Sequence, residues 1–414
     1  MTENNPRTLV RHLWTLLALL ALAMTINFFL RVNLPVAAPV LSQELNLSPE
    51  SLGLLLSAFY WTYALCQIGT GWLIDRGDVR WIYAIAILIW SLAAIGIGVT
   101  SSYVVILGLL LLIGLGESVV YPASSRLVIA IFPETRRGLA NSVIDVMGAR
   151  LGPTLGILCG GLLVAGIGWR PLFIATGGAG LLWLIPWLYF APRKLEPAKQ
   201  VAAAKENPIR WTNLLGRRAL WATCFGQWGA NYTFCFLLAW LPSYLVQARG
   251  FSMNVMAMWA AAPYLLMAVT SMGGGLLADR LIARGGSAVR IRQSFLALGL
   301  LLTAILLPLA LIPRVEWAIA GLLAACLAFG VYASNLWALS QTLAGVRAAG
   351  RWTGFQNAWA NTAGVVAPWL TGFIVAQTGR FDLAFIGASL ACLMGSVSFW
   401  FFVRPSDANL HQKI

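Results

Sequence analysis

The sequence predicts an all-α membrane protein: twelve transmembrane helices in two pseudo-symmetric bundles of six. Three observations predict it. Of the 414 residues, 59% are hydrophobic and only 10% charged, whereas a soluble domain carries about 25% charged residues. The apolar residues fall in long blocks broken by short polar punctuation, and about 20 apolar residues cross a ~30 Å hydrocarbon core. The second half of the chain also repeats landmarks of the first at a constant offset. A soluble helical protein would need polar faces along these blocks, and the sequence offers almost none.

Span 1 (13–41) resembles a secretory leader ending near Ala37–Ala38. It is too long for a cleaved apolar region and carries Arg31 and Asn33, so it is expected to stay as a helix. Span 2 (50–74) runs into a polar turn with Asp75 and Arg76, and span 3 (81–99) is apolar throughout. Span 4 (103–132) is almost wholly apolar or small, yet holds Glu117 near its middle and Arg126 near its far end. Span 5 (138–166) holds Asp145 and Arg150. Its glycines at 148, 152, 156 and 160 form a smooth stripe suited to close helix packing. Span 6 (171–191) closes the first bundle, 1–191. The charged segment 192–218 reads as a cytoplasmic linker, and 219–414 forms the second bundle. Its spans are 219–247, 254–278, 293–312, 316–343, 351–377 and 382–403, none with an ionisable residue in its interior.

A net charge of +14 invites a nucleic-acid reading, but the distribution argues against one. With both termini inside, most of the 28 Lys and Arg fall in cytoplasmic segments, and the outer loops hold Arg170, Arg249, Arg314 and Arg380. This is the asymmetry that orients a protein in a bacterial inner membrane. The six cysteines all lie in apolar spans without a Cys-x-x-Cys pair, and read as small buried hydrophobes. The two histidines, His12 and His411, sit at the ends of the chain. No histidine-based triad, metal site or mid-membrane relay can form, so an enzyme is not expected, nor any cofactor or metal.

The repeat is explicit. "GWLIDR" at 71–76 returns as "GLLADR" at 275–280. Gly138, Asp145, Gly152, Gly160 and Phe173 return 212 positions later as Gly350, Asn357, Gly364, Gly372 and Phe385. Parallel repeats of this kind build transporters with a midplane site. At these residues the chain resembles the major facilitator superfamily. "GWLIDRGDVRW" is similar to its cytoplasmic loop motif, with Asp78 where a glycine is usual. Asp75 and Arg76, and their copies Asp279 and Arg280, are suited to pairing with or capping neighbouring helix ends as a latch. The alternative is a plain topogenic loop.

The resemblance narrows to the anion:cation symporter family of sugar-acid and sialin-like carriers. It rests on "SAFYWTYALCQIGTGWLIDR", "LAWLPSYLVQARGFS", "DRLIARGGSAVR" and "NLWALSQ", and covers nearly the whole chain. It implies that Arg31 binds the substrate carboxylate and that Glu117 carries a proton. It also implies that Tyr63, Ser334, Trp337 and Asn357 line the pocket. Leu30 stands where the family usually has an aspartate, a second protonation site, and Leu110 stands where many members have another arginine.

The residues support these roles on chemical grounds. A carboxylate at the bilayer centre costs roughly 2.5–3.5 kcal/mol, so Glu117 is either a site or half of an ion pair. At 1.5 Å per residue, Arg126 and Asp145 lie roughly 10 Å from the cytoplasmic helix ends, and Glu117 and Arg150 roughly 20 Å, with Arg31 near mid-depth. Two layers follow: an Arg126–Asp145 pair that is structural or gating, and a central layer of Glu117, Arg31 and Arg150. Arginine offers a planar fork for a carboxylate, so Arg31, with Arg150 as a second candidate, is expected to hold that of the substrate. A carboxyl removed from water can load and unload a proton; the alternative for Glu117 is a permanent counter-ion to Arg150. Asp145 is the second candidate for proton coupling. Asn357 and Asn361 are four apart and share a helix face; their amides and Trp337 suit sugar hydroxyls.

The expectation is a proton-coupled symporter importing a small carboxylate, with protons, the substrate and the bilayer as partners, in a monomer that binds no nucleic acid. The Gly-Pro within "GARLGPTLGILCGG" keeps proton-antiport efflux as the rival. A non-transporting sensor or membrane enzyme has no extramembrane domain or catalytic constellation to support it.

Overall fold

The computed structural model describes residues 6–132, 140–141, 143–192 and 211–404. Most of the expected linker and residues 133–139 lie outside them. Among the described residues, ten helical stretches are long and apolar enough to cross a membrane. Two further long helices, Pro49–Arg76 and Arg218–Ser243, fall in the expected places of spans 2 and 7. The chain divides into two units, Met1–Leu47 with Ala58–Ala203, and Ser48–Ser57 with Ala204–Ile414.

The first unit is built on α1 (Pro6–Glu44), most of α2 (Pro49–Arg76), α3 (Val79–Val99), α4 (Tyr103–Glu117), α5 (Val120–Ile131), α6 (Gly152–Ile167) and α7 (Trp169–Phe190). Asp78 sits at the N-cap of α3, its carboxylate accepting from the Arg80 amide at 2.9 Å. That accounts for an acid at this turn, since aspartate satisfies orphan amides at a helix start. The predicted glycine stripe is the seam between α6 and α1. A Cβ on Gly152 would come within 2.6 Å of Phe28 Cβ, and one on Gly156 within 2.4 Å of Val32 Cγ2. On the other side, Trp183 and Trp187 of α7 stack at 5.0 Å and meet Tyr83 of α3 edge-on. Each indole donates to a backbone carbonyl, Trp183 to Leu19 and Trp187 to Arg80.

The fourth span is broken where the sequence predicts one continuous helix. α4 ends at Glu117 and α5 begins at Val120. Pro122 has no N–H to give the Ser118 carbonyl four residues back; the Thr70 hydroxyl of α2 donates to that carbonyl instead, at 3.2 Å. Span 5 is also irregular, since Val146–Leu151 form a π turn before α6.

The second unit contains α8 (Trp211–Leu215), α9 (Arg218–Ser243), α10 (Met253–Ala283), α11 (Ala288–Leu306), α12 (Val315–Ala333), α13 (Leu336–Thr378) and α14 (Asp382–Phe402). α9 is joined to α13 by polar contacts: Trp352 Nε1 donates to Thr223 Oγ1 at 3.1 Å, Gln356 to Gln227 at 2.8 Å, and Trp240 to the Pro368 carbonyl at 3.0 Å. Here too the fourth span is broken, at Ser334–Asn335. Spans 10 and 11 are not separated by a helix break: α13 runs from Leu336 to Thr378. The stretch between them, "LAGVRAAG", is rich in alanine and has no proline, so nothing in it stops a helix. The stop comes at Gly379, whose φ of 67° is left-handed.

Candidate functional site

Within the first unit, Arg31 Nε donates to Glu117 Oε2 at 2.8 Å, with Arg31 9% and Glu117 0% exposed. The contact follows from the local sequence. Gly114 lets α4 lie directly on α2, since a Cβ there would meet the Phe59 carbonyl at 2.2 Å. Glu117 is the last residue of α4 before the break, and its carboxylate is delivered to the middle of α1. The guanidinium is also held by rings. Its carbon lies 4.6 Å from the Phe28 centroid, 5.0 Å from Phe59 and 4.5 Å from Tyr63. Phe59 and Tyr63 are stacked on each other, and Tyr63 Oη accepts from Gln67. Such cation–π contacts hold a desolvated cation without neutralising it.

The pair is incomplete. Arg31 Nη2 and Glu117 Oε1 are buried with no hydrogen-bond partner, as are both side-chain atoms of Asn27. Asn27 is four residues before Arg31, on the same face of α1. Leaving a buried donor unsatisfied costs about 1–3 kcal/mol. A guanidinium that spends one N–H on Glu117 and keeps another free can accept a second carboxylate.

The remaining sites divide between those the structure brings together and those it rearranges. Glu117 takes Arg31 as its counter-ion; Arg150 is instead 3.9 Å from Asp145. The carboxylate of Asp145 is half-exposed. These two are five residues apart, which on an α-helix points them to different faces. The π turn between them, with its wider winding, brings positions i and i+5 together. Arg126 is partly buried on α5 and is also engaged. In the second unit, Ser334 donates to the Val331 carbonyl and accepts from Asn335 at the break before α13. Trp337 is 41% exposed, and Asn361 is buried on α13. Asn357, one turn before Asn361 on α13, is partly buried; both asparagines make contacts of their own. In the second loop copy Asp279 is exposed and lies 3.9 Å from Arg292, which itself donates to Thr342 and the Ala338 carbonyl. Arg280, next to it, is exposed. In the first copy Arg76 is exposed and engaged, while the Asp75 side chain lies outside the described residues.

Sequence reasoning missed Asn27, Phe28 and Phe59. Two of them looked like ordinary apolar positions. Asn27 had a usable signal: a carboxamide one turn from an intramembrane arginine.

Long apolar helices in two units, with a buried arginine–glutamate pair inside one of them, describe a polytopic membrane protein, and family membership makes it a transporter rather than an enzyme. The chain belongs to the Major Facilitator Superfamily, whose family model matches residues 20–363. It is 31% identical to a hexuronate transporter of Bacillus subtilis, covering 93% of both chains. It is 29% identical to a D-galactonate transporter of Escherichia coli, over 94% of this chain and 95% of that one. Its fold is similar to the crystal structure of a D-xylose–proton symporter, with a TM-score of 0.77 at 15% identity, covering 96% of this chain and 99% of that one.

Proposed function

We propose that the chain is a proton-coupled symporter that imports a small sugar acid by alternating access, through twelve spans with both termini cytoplasmic and as a monomer. The observation that carries the reading is the buried Arg31–Glu117 pair with the Nη2 amino group of the guanidinium left without a partner. With Glu117 ionised and no substrate, the two charges cancel. Protonating Glu117 alone strands a buried cation, and adding a carboxylate alone leaves a surplus anion; an uncompensated buried charge costs several kcal/mol. Only the empty, ionised state and the loaded, protonated state are neutral inside. Proton and carboxylate therefore bind together, which is a coupling free energy between two sites.

In this reading Arg31 holds the carboxylate and Tyr63 packs the guanidinium in place. Arg150, 3.9 Å from half-exposed Asp145, is assigned with Arg126 to gating rather than to the substrate carboxylate, and Asp145 to that pair rather than to carrying the proton. Ser334, Trp337, Asn357 and Asn361 supply the amides, hydroxyl and indole suited to sugar hydroxyls. Asp75, Arg76, Asp279 and Arg280 act as cytoplasmic latches. The export alternative leaned on the Gly-Pro of span 5, but that glycine stripe has a packing role against α1 and does not favour it.

Reconstituted vesicles test the reading. Labelled D-glucuronate or D-galactonate should accumulate when the outside is made acidic. Glu117→Gln should abolish that accumulation while keeping substrate-for-substrate exchange. Uptake indifferent to the imposed pH gradient rejects the proposal.

A further inference from the structure

The chain holds fourteen Asp and Glu, and their placement limits how much charge a transport cycle can move. Glu117 and Asp145 alone lie inside predicted spans; the others occupy helix ends, turns or tails. Both histidines are terminal. The structure separates the two interior acids. Glu117 is fully buried against Arg31, while Asp145 is half-exposed beside Arg150. Glu117 faces Arg31 on α1; Tyr60 and Tyr63 on α2 lie near that arginine, and Tyr121 on α5 lies near Arg31, Tyr63, and Arg150 with Asp145 around the π turn. On α3 the atoms nearest to Gly116 belong to Ala86 and Trp90, neither of which carries a charge. Tyrosine and arginine keep their protons at physiological pH. Position 30, beside Arg31, is a buried leucine, and so is position 110 on α4. Neither adds a charge to the set.

We propose that this carrier moves one proton with one monocarboxylate, so that its cycle is electroneutral, and that it discriminates against dicarboxylates. The inference rests on the symport reading above. One buried carboxylate binds one proton. One guanidinium, released by that proton, accepts one carboxylate. The Arg31–Glu117–substrate set is then neutral both loaded and empty, and the fixed charges on Arg126, Arg150 and Asp145 are the same in both states. A second substrate carboxylate would bring a negative charge that neither the proton nor Arg31 offsets. The interiors of the second-half spans hold no Lys or Arg to receive it.

D-glucuronate and D-glucarate share a six-carbon skeleton with one and two carboxylates, and D-gluconate, open-chain with one carboxylate, controls for the glucuronate ring. In vesicles of purified full-length protein, a pH gradient and a potassium–valinomycin potential are imposed separately. D-glucuronate uptake should follow the pH gradient and be unchanged by an inside-negative potential. D-glucarate should compete at least about tenfold more weakly, the discrimination expected for one ill-matched polar group. Glucuronate uptake accelerated by an inside-negative potential would require a second proton and overturns the inference while leaving symport intact. Glucarate uptake as fast as that of glucuronate overturns the monocarboxylate assignment in the same way. Uptake of neither probe, or uptake blind to the pH gradient, overturns the symport reading itself and this inference with it.

Discussion

Arg31 Nε and Glu117 Oε2 meet at 2.8 Å in a place closed to solvent, ringed by Phe28, Phe59 and Tyr63. The consequence for stability is asymmetric. Replacing Arg31 by alanine strands a buried acid, and breaking a buried pair from one side costs about 3–5 kcal/mol. Replacing both partners removes the need for either charge. Thermal unfolding in detergent should therefore rank Arg31→Ala well below wild type, with Arg31→Ala/Glu117→Gln recovering a large part of the loss. A double variant no more stable than the single one would mean the two charges are not coupled.

The α1–α6 seam predicts a sharp positional contrast. Gly152→Ala places a methyl 2.6 Å from Phe28 Cβ, an atom fixed to the backbone, so the helices must part; overpacking of this kind costs about 1–3 kcal/mol. Gly166 lies on the same helix with nothing within 4 Å of an added Cβ. Gly166→Ala should be neutral or slightly stabilising, because alanine is the better helix former. Expression level and thermal midpoint of the two variants check this directly. Equal effects at both positions would show that the seam is looser than its contacts imply.

Much of this arrangement was legible in the sequence, for identifiable reasons. Long uncharged blocks report a bilayer because lipid imposes length and composition on a helix. A lone Glu117 in such a block stands out because burying it is costly. Its partner was harder to name. Depth counting at 1.5 Å per residue assumes straight α-helices, and the π turn at Val146–Leu151 and the break after Glu117 depart from that assumption. The resulting layers left Glu117 between two arginines, Arg31 and Arg150, of which the structure gives it Arg31. The aromatic cage was invisible because phenylalanine is the expected residue in a membrane helix whether it faces lipid, core or cation. The continuity of α13 was missed because a short stretch with an arginine between two glycines looks like a loop between apolar blocks.

The Asp145–Arg150 contact should behave differently from the buried pair. Its partners are 50% and 21% exposed and 3.9 Å apart, the regime in which an ion pair contributes about 0–1 kcal/mol. Asp145→Asn should leave the thermal midpoint almost unchanged. In vesicles it should keep pH-driven accumulation, although the rate can fall if the pair takes part in gating. Loss of accumulation at equal protein density would move the coupling role from Glu117 to this residue.

Gln293 on α11 anchors the end of the last helix. Its amide nitrogen lies 3.0 Å from the Phe399 carbonyl, 2.8 Å from that of Trp400 and 3.0 Å from that of Val403. The last carbonyls of a helix have no intrahelical donor, and inside or near a membrane they lack water as a substitute. Gln293→Leu keeps the bulk of the side chain and removes the donors. The unmet carbonyls should cost about 1–3 kcal/mol, concentrated where α14 ends. Hydrogen exchange read by mass spectrometry should show faster opening of residues 399–403, with α9 and α12 unaffected. Transport should persist, because α14 carries none of the residues assigned to the substrate or the proton. Uniform acceleration of exchange across the second unit would instead make Gln293 a support of the whole unit rather than the clamp on one helix end.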